Sequence, residues 1–282
     1  MTGVAGQQAD GLDASNPTVD PAWIAAHQGD PDVRLVELDV SRAAYDAGHI
    51  PGAVFWSAYS DLRDGGYRPI AARELEALLS RSGIAPDTTL VFYGYGAALG
   101  FWLMKAHGHR DVRMLDGSRE RWAQAGGEWS TETSEPPASV YPLSQAGADA
   151  FSTRADVEAA IADPAIAVLD VRSQLEFDGE RFWPSGATAD AGRPGRVPGA
   201  ISVPIDLLRA EDDTFRAAED MRRALESAGV TREQRVITYC TIGNRASQAW
   251  FAMRYLLGYP DVSVYYASWV EWGKTEGAPI ES

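Results

Sequence analysis

Cys240 is the single cysteine of a 282-residue chain, and it stands in Tyr239-Cys240-Thr241-Ile242-Gly243-Asn244-Arg245. A thiol becomes a nucleophile when it ionises, and convergent N–H groups, a helix N-terminus and a nearby cation all favour ionisation. Gly243 permits a tightly curled loop, and Arg245 supplies a permanent positive charge at its end. Cys240 is therefore the expected nucleophile, with Thr241, Ile242, Gly243, Asn244 and Arg245 as the cradle for a bound anion. A lone cysteine can instead be a small buried hydrophobe. The glycine and arginine at these spacings point to the reactive thiol. With no second cysteine in the chain, whatever forms on Cys240 must pass to another molecule.

The flanking segments position this loop. Arg235-Val236-Ile237-Thr238-Tyr239 reads as a buried strand and residues 246–257 as a helix. Within that helix Ala249, Trp250, Met253, Leu256 and Leu257 fall on one face, a stripe that belongs against a core. A cysteine at the junction of strand and helix faces loop N–H groups and the positive helix end. The four histidines, His27, His49, His107 and His109, show no metal-ligand spacing, and chemistry on a reactive thiol needs neither a metal nor an organic cofactor. His49 is expected to bond backbone near Pro51.

Composition narrows the function further. The length suits two domains, and 45% hydrophobic with 23% charged residues is ordinary for a globular protein. A net charge of −15 argues against nucleic acid as a main partner. It also means that an anionic substrate needs cations gathered locally. No apolar run is long enough to span a bilayer, so no membrane partner is expected. Residues 1–16 are polar, lack a basic start and an apolar core, and read as a disordered tail rather than a secretory signal. One cysteine leaves no internal disulfide, which suits a reducing cytoplasm.

The chain repeats itself. Leu35-Val36-Glu37-Leu38-Asp39-Val40 is answered by Ala167-Val168-Leu169-Asp170-Val171-Arg172, and His49-Ile50-Pro51-Gly52-Ala53 by Arg196-Val197-Pro198-Gly199-Ala200. Leu90–Gly94 is answered by Val236–Cys240, Gly108–Val112 by Gly258–Val262, and Arg119–Trp122 by Trp269–Trp272. Each half alternates short apolar strands with helical stretches, the pattern of a mostly parallel sheet flanked by helices. The expected boundaries are a first domain over residues 17–130, a Ser/Thr/Glu/Pro-rich linker over 131–150 and a second domain over 151–282. Gly94 occupies the cysteine position in the first half. That half also has four fewer residues between strand end and next glycine, which assigns the extra residues to the Cys240 loop. Conversely, Asp39 to Gly52 is 13 residues and Asp170 to Gly199 is 29, which places an extra 16-residue segment within about residues 177–192. Its Arg181, Phe182 and Trp183, followed by Arg193 and Arg196, suggest an ordered loop bordering the pocket.

These motifs together resemble the two-domain rhodanese, or sulfurtransferase, family. The carrying residues are Gly48-His49-Ile50-Pro51-Gly52-Ala53, Asp170-Val171-Arg172, Gly195-Arg196-Val197-Pro198-Gly199-Ala200, the Cys240 loop and Ser268-Trp269-Val270-Glu271-Trp272-Gly273. The resemblance implies two tandem rhodanese-like domains, the first inactive and the second catalytic, and a persulfide on Cys240. It implies a small anionic sulfur donor, thiosulfate or 3-mercaptopyruvate, and a thiol, cyanide or protein acceptor. Arg181, Arg193 and Arg196 are candidates for the donor's anionic end, with Asp170, Arg172 and Trp269 as supporting residues. Arg172 is expected to form an ion pair with a nearby carboxylate.

Two rivals remain at this point. Related phosphatases and arsenate reductases use Cys-x5-Arg, whereas Cys240 to Arg245 is one residue shorter, which favours a sulfane sulfur over a phosphate. The loop is similar to Cys-Arg-Ile-Gly-Glu-Arg loops of bacterial sulfurtransferases, with Thr241 and Asn244 in place of Arg and Glu. The family's Asp-Gly-Ser-Trp reads Tyr266-Ala267-Ser268-Trp269 here. These departures keep open a persulfide carrier or docking module for a protein partner.

Overall fold

A computed structural model describes residues 16–144 and 147–282; residues 1–15 of the expected tail lie outside them. Each half builds one five-stranded sheet, and the pairings within both sheets are all parallel. The first contains β1 (Thr18–Val19), β2 (Val33–Asp39), β3 (Val54–Ser57), β4 (Thr89–Tyr93) and β5 (Val112–Leu115), in the order β1-β5-β4-β2-β3. The second contains β6 (Phe151–Ser152), β7 (Ile166–Asp170), β8 (Ile201–Ser202), β9 (Arg235–Tyr239) and β10 (Val262–Tyr265), in the order β6-β10-β9-β7-β8. Central strands such as Val236, Ile237 and Tyr239 are fully buried, as parallel sheets covered on both faces require. The chain order reverses beside β9, and a crevice outside the carboxyl ends of strands at such a point is where open α/β sheets bind ligands. Cys240 follows β9 directly. No helix of the described residues is long and apolar enough to cross a membrane.

The halves share a core. The helix Ala97–Ala106 packs against the helix Asn244–Phe251, and Phe101 meets Phe251 edge-on at 4.8 Å. This pairing explains why the second helix is buried beyond its predicted stripe. Ala249, Trp250, Met253 and Leu257 are buried as expected and Leu256 only half-buried, but Phe251 and Ala252 are buried too. That helix begins at Asn244, two residues earlier than the sequence suggests, and ends in a π-helical turn, Ala252–Leu256. The turn also corrects the expected loop assignment. The strand-to-helix loop is residues 94–96 in one half and residues 240–243 in the other, so only one extra residue lies in the Cys240 loop. The other three lengthen the helix.

Sheet register corrects a second alignment. Asp170 pairs with Tyr239 on the neighbouring strand, whereas Tyr93, the counterpart of Tyr239, pairs with Glu37 and not Asp39. The insertion after β7 is therefore 14 residues rather than 16. Each buried carboxylate holds one arginine, and each arginine also bonds an equivalent glycine carbonyl. Arg119 joins Glu37 and Gly48 at 2.7 and 2.6 Å, and Arg172 joins Asp170 and Gly195 at 2.6 and 2.8 Å. The arginines come from different elements, a helix in one half and a strand end in the other, so motif alignment does not pair them.

The expected linker is strapped to the first half. Ser80 donates to the Ser139 carbonyl at 2.7 Å, and Tyr141 packs on His109 with its hydroxyl 2.7 Å from Nδ1. The ring nitrogens of His49 do face backbone, but at the carbonyls of Tyr45 (2.9 Å) and Glu132 (3.0 Å) rather than beside Pro51.

Candidate active site

Gly243 sets the shape of the Cys240 loop. Its φ of +87° is the left-handed conformation that side chains resist, and a Cβ there would stand 2.6 Å from the Tyr266 carbonyl oxygen. The resulting curl turns the Gly243 N–H back onto Cys240 Sγ at 3.1 Å. Ser268 supports the start of the loop. Held at φ +53°, it accepts the Cys240 N–H at 3.2 Å and donates to the Tyr265 carbonyl at 2.7 Å. Trp269 and Val270 then donate their N–H groups to the carbonyls of Cys240 and Thr241, both at 3.0 Å. Cys240 itself is 1% exposed. In the first half Ser118 repeats the motif at φ +50°, accepting the Gly94 N–H at 2.7 Å. A Cβ at Gly94 would lie 2.7 Å from the Leu38 carbonyl, so a cysteine cannot take that place without moving the strand.

Gly243→Ala adds that clash to left-handed strain of about 1–3 kcal/mol. The expected outcome is a folded protein whose sulfur-transfer kcat/KM falls at least about tenfold. Circular dichroism and steady-state rates check the two halves of that statement.

Arg245 is not left facing the sulfur as an isolated cation. It makes a bidentate pair with Glu176, 2.8 Å on each arm, and donates to the Thr241 hydroxyl at 2.6 Å. The Thr241 hydroxyl donates in turn to Glu176 at 2.6 Å, and Ser173 donates to the same carboxylate at 2.8 Å. Burial alone would push the Glu176 carboxyl up; the bonds and charge of Arg245, with the two hydroxyls, outweigh burial and hold it at about 2. Arg245, Thr241 and Glu176 thus tie the far end of the loop to the helix Gln174–Phe177. Glu176 escaped the sequence reading. Its one legible sign was Ser173-Gln174-Leu175-Glu176, a capping-box spacing that marks a helix start without revealing its partner.

Asp170, Arg172 and Trp269 lie behind the strand end. Arg172 pairs with Asp170 with both side chains fully buried, and its guanidinium lies 4.5 Å from the Trp269 ring. Tyr239 donates its hydroxyl to Asp170 at 2.5 Å and accepts the Val197 N–H at 3.2 Å. Arg172 Nη1 is buried without a partner.

The arginines expected to meet a donor each have a protein partner. Arg181 donates to the Pro184 carbonyl at 2.8 Å. Arg193 donates to the carbonyls of Gly273 and Thr275 at 3.3 and 2.6 Å, and Arg196 pairs with Glu281 at 2.5 Å. Among the described residues, no hydrogen bond or ion pair joins these three to the Cys240 loop. They brace the insertion and the C-terminal segment. The insertion nonetheless reaches the seam between the halves, where Trp183 packs at 6.2 Å from Tyr67.

The first half grips the loop at two points. Asn244 donates to the Tyr95 carbonyl at 3.3 Å, and Arg63 donates to the Ile242 carbonyl at 2.5 Å. Tyr266, where the family pattern has aspartate, is buried, stacks on Trp102 at 5.2 Å and donates to the Leu62 carbonyl at 3.2 Å. No sequence signal linked Arg63 or Tyr95 to a loop almost 150 positions or more away.

Comparison with known proteins agrees with this architecture. Residues 20–125 and 153–275 each match the model of the rhodanese-like domain. A protein of Thermus thermophilus named sulfur carrier protein TtuD is 38% identical over 267 residues, covering 92% of this chain and 94% of that protein. A candidate thiosulfate sulfurtransferase of Haloferax volcanii is 37% identical over 278 residues, covering 95% and 97%. Among solved structures, a variant of EanB holding a cysteine persulfide with ergothioneine superposes with a TM-score of 0.85 at 25% identity, covering 98% of this chain and 72% of that one.

Proposed function

The chain belongs to the rhodanese-like domain family as a tandem-domain sulfurtransferase, and from that premise we propose that it carries a sulfane sulfur from thiosulfate on Cys240 to an acceptor thiol, cyanide or protein. The observation that carries this reading is the N–H of Gly243 aimed at Cys240 Sγ from a glycine-curled loop. Such a donor stabilises a thiolate and equally the terminal sulfur of a persulfide.

In the first step the Cys240 thiolate attacks the outer sulfur of thiosulfate. The new S–S bond forms as the donor's S–S bond breaks, and sulfite leaves with the electron pair. In the second, the acceptor attacks the terminal sulfur of the persulfide, and the Cys240 thiolate departs from it. Ile242, Gly243 and Asn244 line the sulfur, Thr241 and Arg245 fix the loop to Glu176, and Asp170, Arg172 and Trp269 support the strand end beneath it. The lone thiol suits a reducing cytoplasm.

Donor preference is the direct test. Initial rates with thiosulfate and with 3-mercaptopyruvate, each against cyanide and a small thiol, are expected to favour thiosulfate. A preference for 3-mercaptopyruvate reassigns the donor. Slow turnover with both, beside rapid sulfur exchange with a protein, favours a persulfide carrier, the reading suggested by the name of the Thermus relative.

A further inference from the structure

The two halves present matching hairpins to each other. Arg63 bridges to Pro69 in one and Arg209 to Phe215 in the other, and each arginine reaches onto the opposite half. There the symmetry ends. Arg209 lies 3.8 Å from Asp116 of the first half and 2.9 Å from Asp213. Arg63 meets Tyr266, which follows β10 as Asp116 follows β5, with its guanidinium 5.0 Å from the ring. Arg63 is 5% exposed, and its Nη1 donates to the Ala58 carbonyl at 2.9 Å. Its Nε is buried without a partner. No carboxylate of the described residues stands within ion-pair distance of it. The other arginines around the two strand ends, Arg119, Arg172 and Arg245, are all paired with Glu37, Asp170 and Glu176.

The acceptor of Arg63 Nη2 gives this charge a direction. The Ile242 carbonyl and the Gly243 N–H belong to one peptide unit, and that N–H is the group bonded to Cys240 Sγ. A cation on the oxygen polarises the peptide and strengthens what its N–H donates, because linked hydrogen bonds reinforce one another in a low-dielectric setting. Resting on the sulfur-transfer reading, we propose that Arg63, supplied by the half that lacks the cysteine, is a positioning residue. Through the Ile242–Gly243 peptide it stabilises negative charge on Cys240 and on its persulfide, and Tyr266 in place of an aspartate leaves that charge uncancelled. The charged and titratable groups around the loop are Arg63, Tyr59, Tyr266 and Tyr95 from the seam, Asp64 beside them in its pair with Arg68, Arg245 with Glu176, and Asp170, Arg172 and Tyr239 behind the strand.

The test uses the full chain as Arg63→Gln, Arg63→Lys and Tyr266→Asp, each checked for folding by thermal unfolding. Two readouts are taken: the pH profile of Cys240 alkylation by iodoacetamide, and kcat/KM for thiosulfate. Arg63→Gln is expected to move the alkylation profile up by about one pH unit and to lower kcat/KM about tenfold. Arg63→Lys should restore part of both, and Tyr266→Asp should resemble Arg63→Gln by cancelling the charge. A folded Arg63→Gln with the wild-type alkylation profile overturns the proposal. If Arg63→Gln does not fold, Tyr266→Asp with a wild-type profile overturns it instead. A wild-type protein that alkylates yet takes no sulfur from thiosulfate counts against the donor reading, and the alkylation comparison still decides the role of Arg63.

Discussion

Cys240→Ala is expected to lower sulfur transfer to cyanide by at least about a thousandfold, about 4 kcal/mol of barrier. The chain has no other thiol to take over, so the loss cannot be masked by a neighbouring residue. Stability should change little, since alanine fills nearly the same buried volume and only one N–H···S bond is lost. Mass spectrometry of the thiosulfate-treated wild type should find one added sulfur atom, on the peptide containing Cys240. The variant should carry none. Full turnover in Cys240→Ala would remove the persulfide mechanism altogether.

Arg245→Ala is expected to cost about 3–5 kcal/mol of folding stability, because it leaves a buried carboxylate without its cation. Glu176 is fully buried, and only the hydroxyls of Ser173 and Thr241 and the Ser173 N–H would remain to it. The loop end would lose its anchor, and kcat/KM should fall at least about tenfold. The pH dependence identifies the cause. In the wild type Glu176 sits at about 2 against an ordinary 4.5. A depressed carboxylate contributes stability that is fully present above the unfolded value and is lost as pH falls towards the folded one. That contribution is worth about 3 kcal/mol here. Without Arg245, burial dominates and the carboxyl titrates above its ordinary value, so the variant gains relative stability in acid. The difference in unfolding free energy between wild type and Arg245→Ala should therefore begin to shrink above pH 4.5, as the variant's raised carboxyl takes up its proton, and keep shrinking towards the wild-type value of about 2. Urea unfolding across that range measures it. The double variant Glu176→Gln/Arg245→Ala should recover part of the loss, because the two substitutions act on one buried pair.

The amino-acid sequence by itself determined the duplication, the parallel strand-and-helix alternation of both halves and the strand–loop–helix that carries Cys240. These follow from local spacing: short apolar runs that must be buried, a glycine where only positive φ closes the loop, and motifs repeated in order. Local spacing also misled. It aligned Asp39 with Asp170, where strand pairing selects Glu37, because a side chain's face is fixed by sheet register. It assigned four extra residues to the Cys240 loop when three of them lengthen the following helix, whose π-helical end packs against Phe101 of the other half. Only the tertiary structure brought Glu176 to Arg245 and Arg63 to the Ile242 carbonyl. A buried charge accepts whichever partner packing delivers, and packing unites residues that lie 69 and 179 positions apart in the chain.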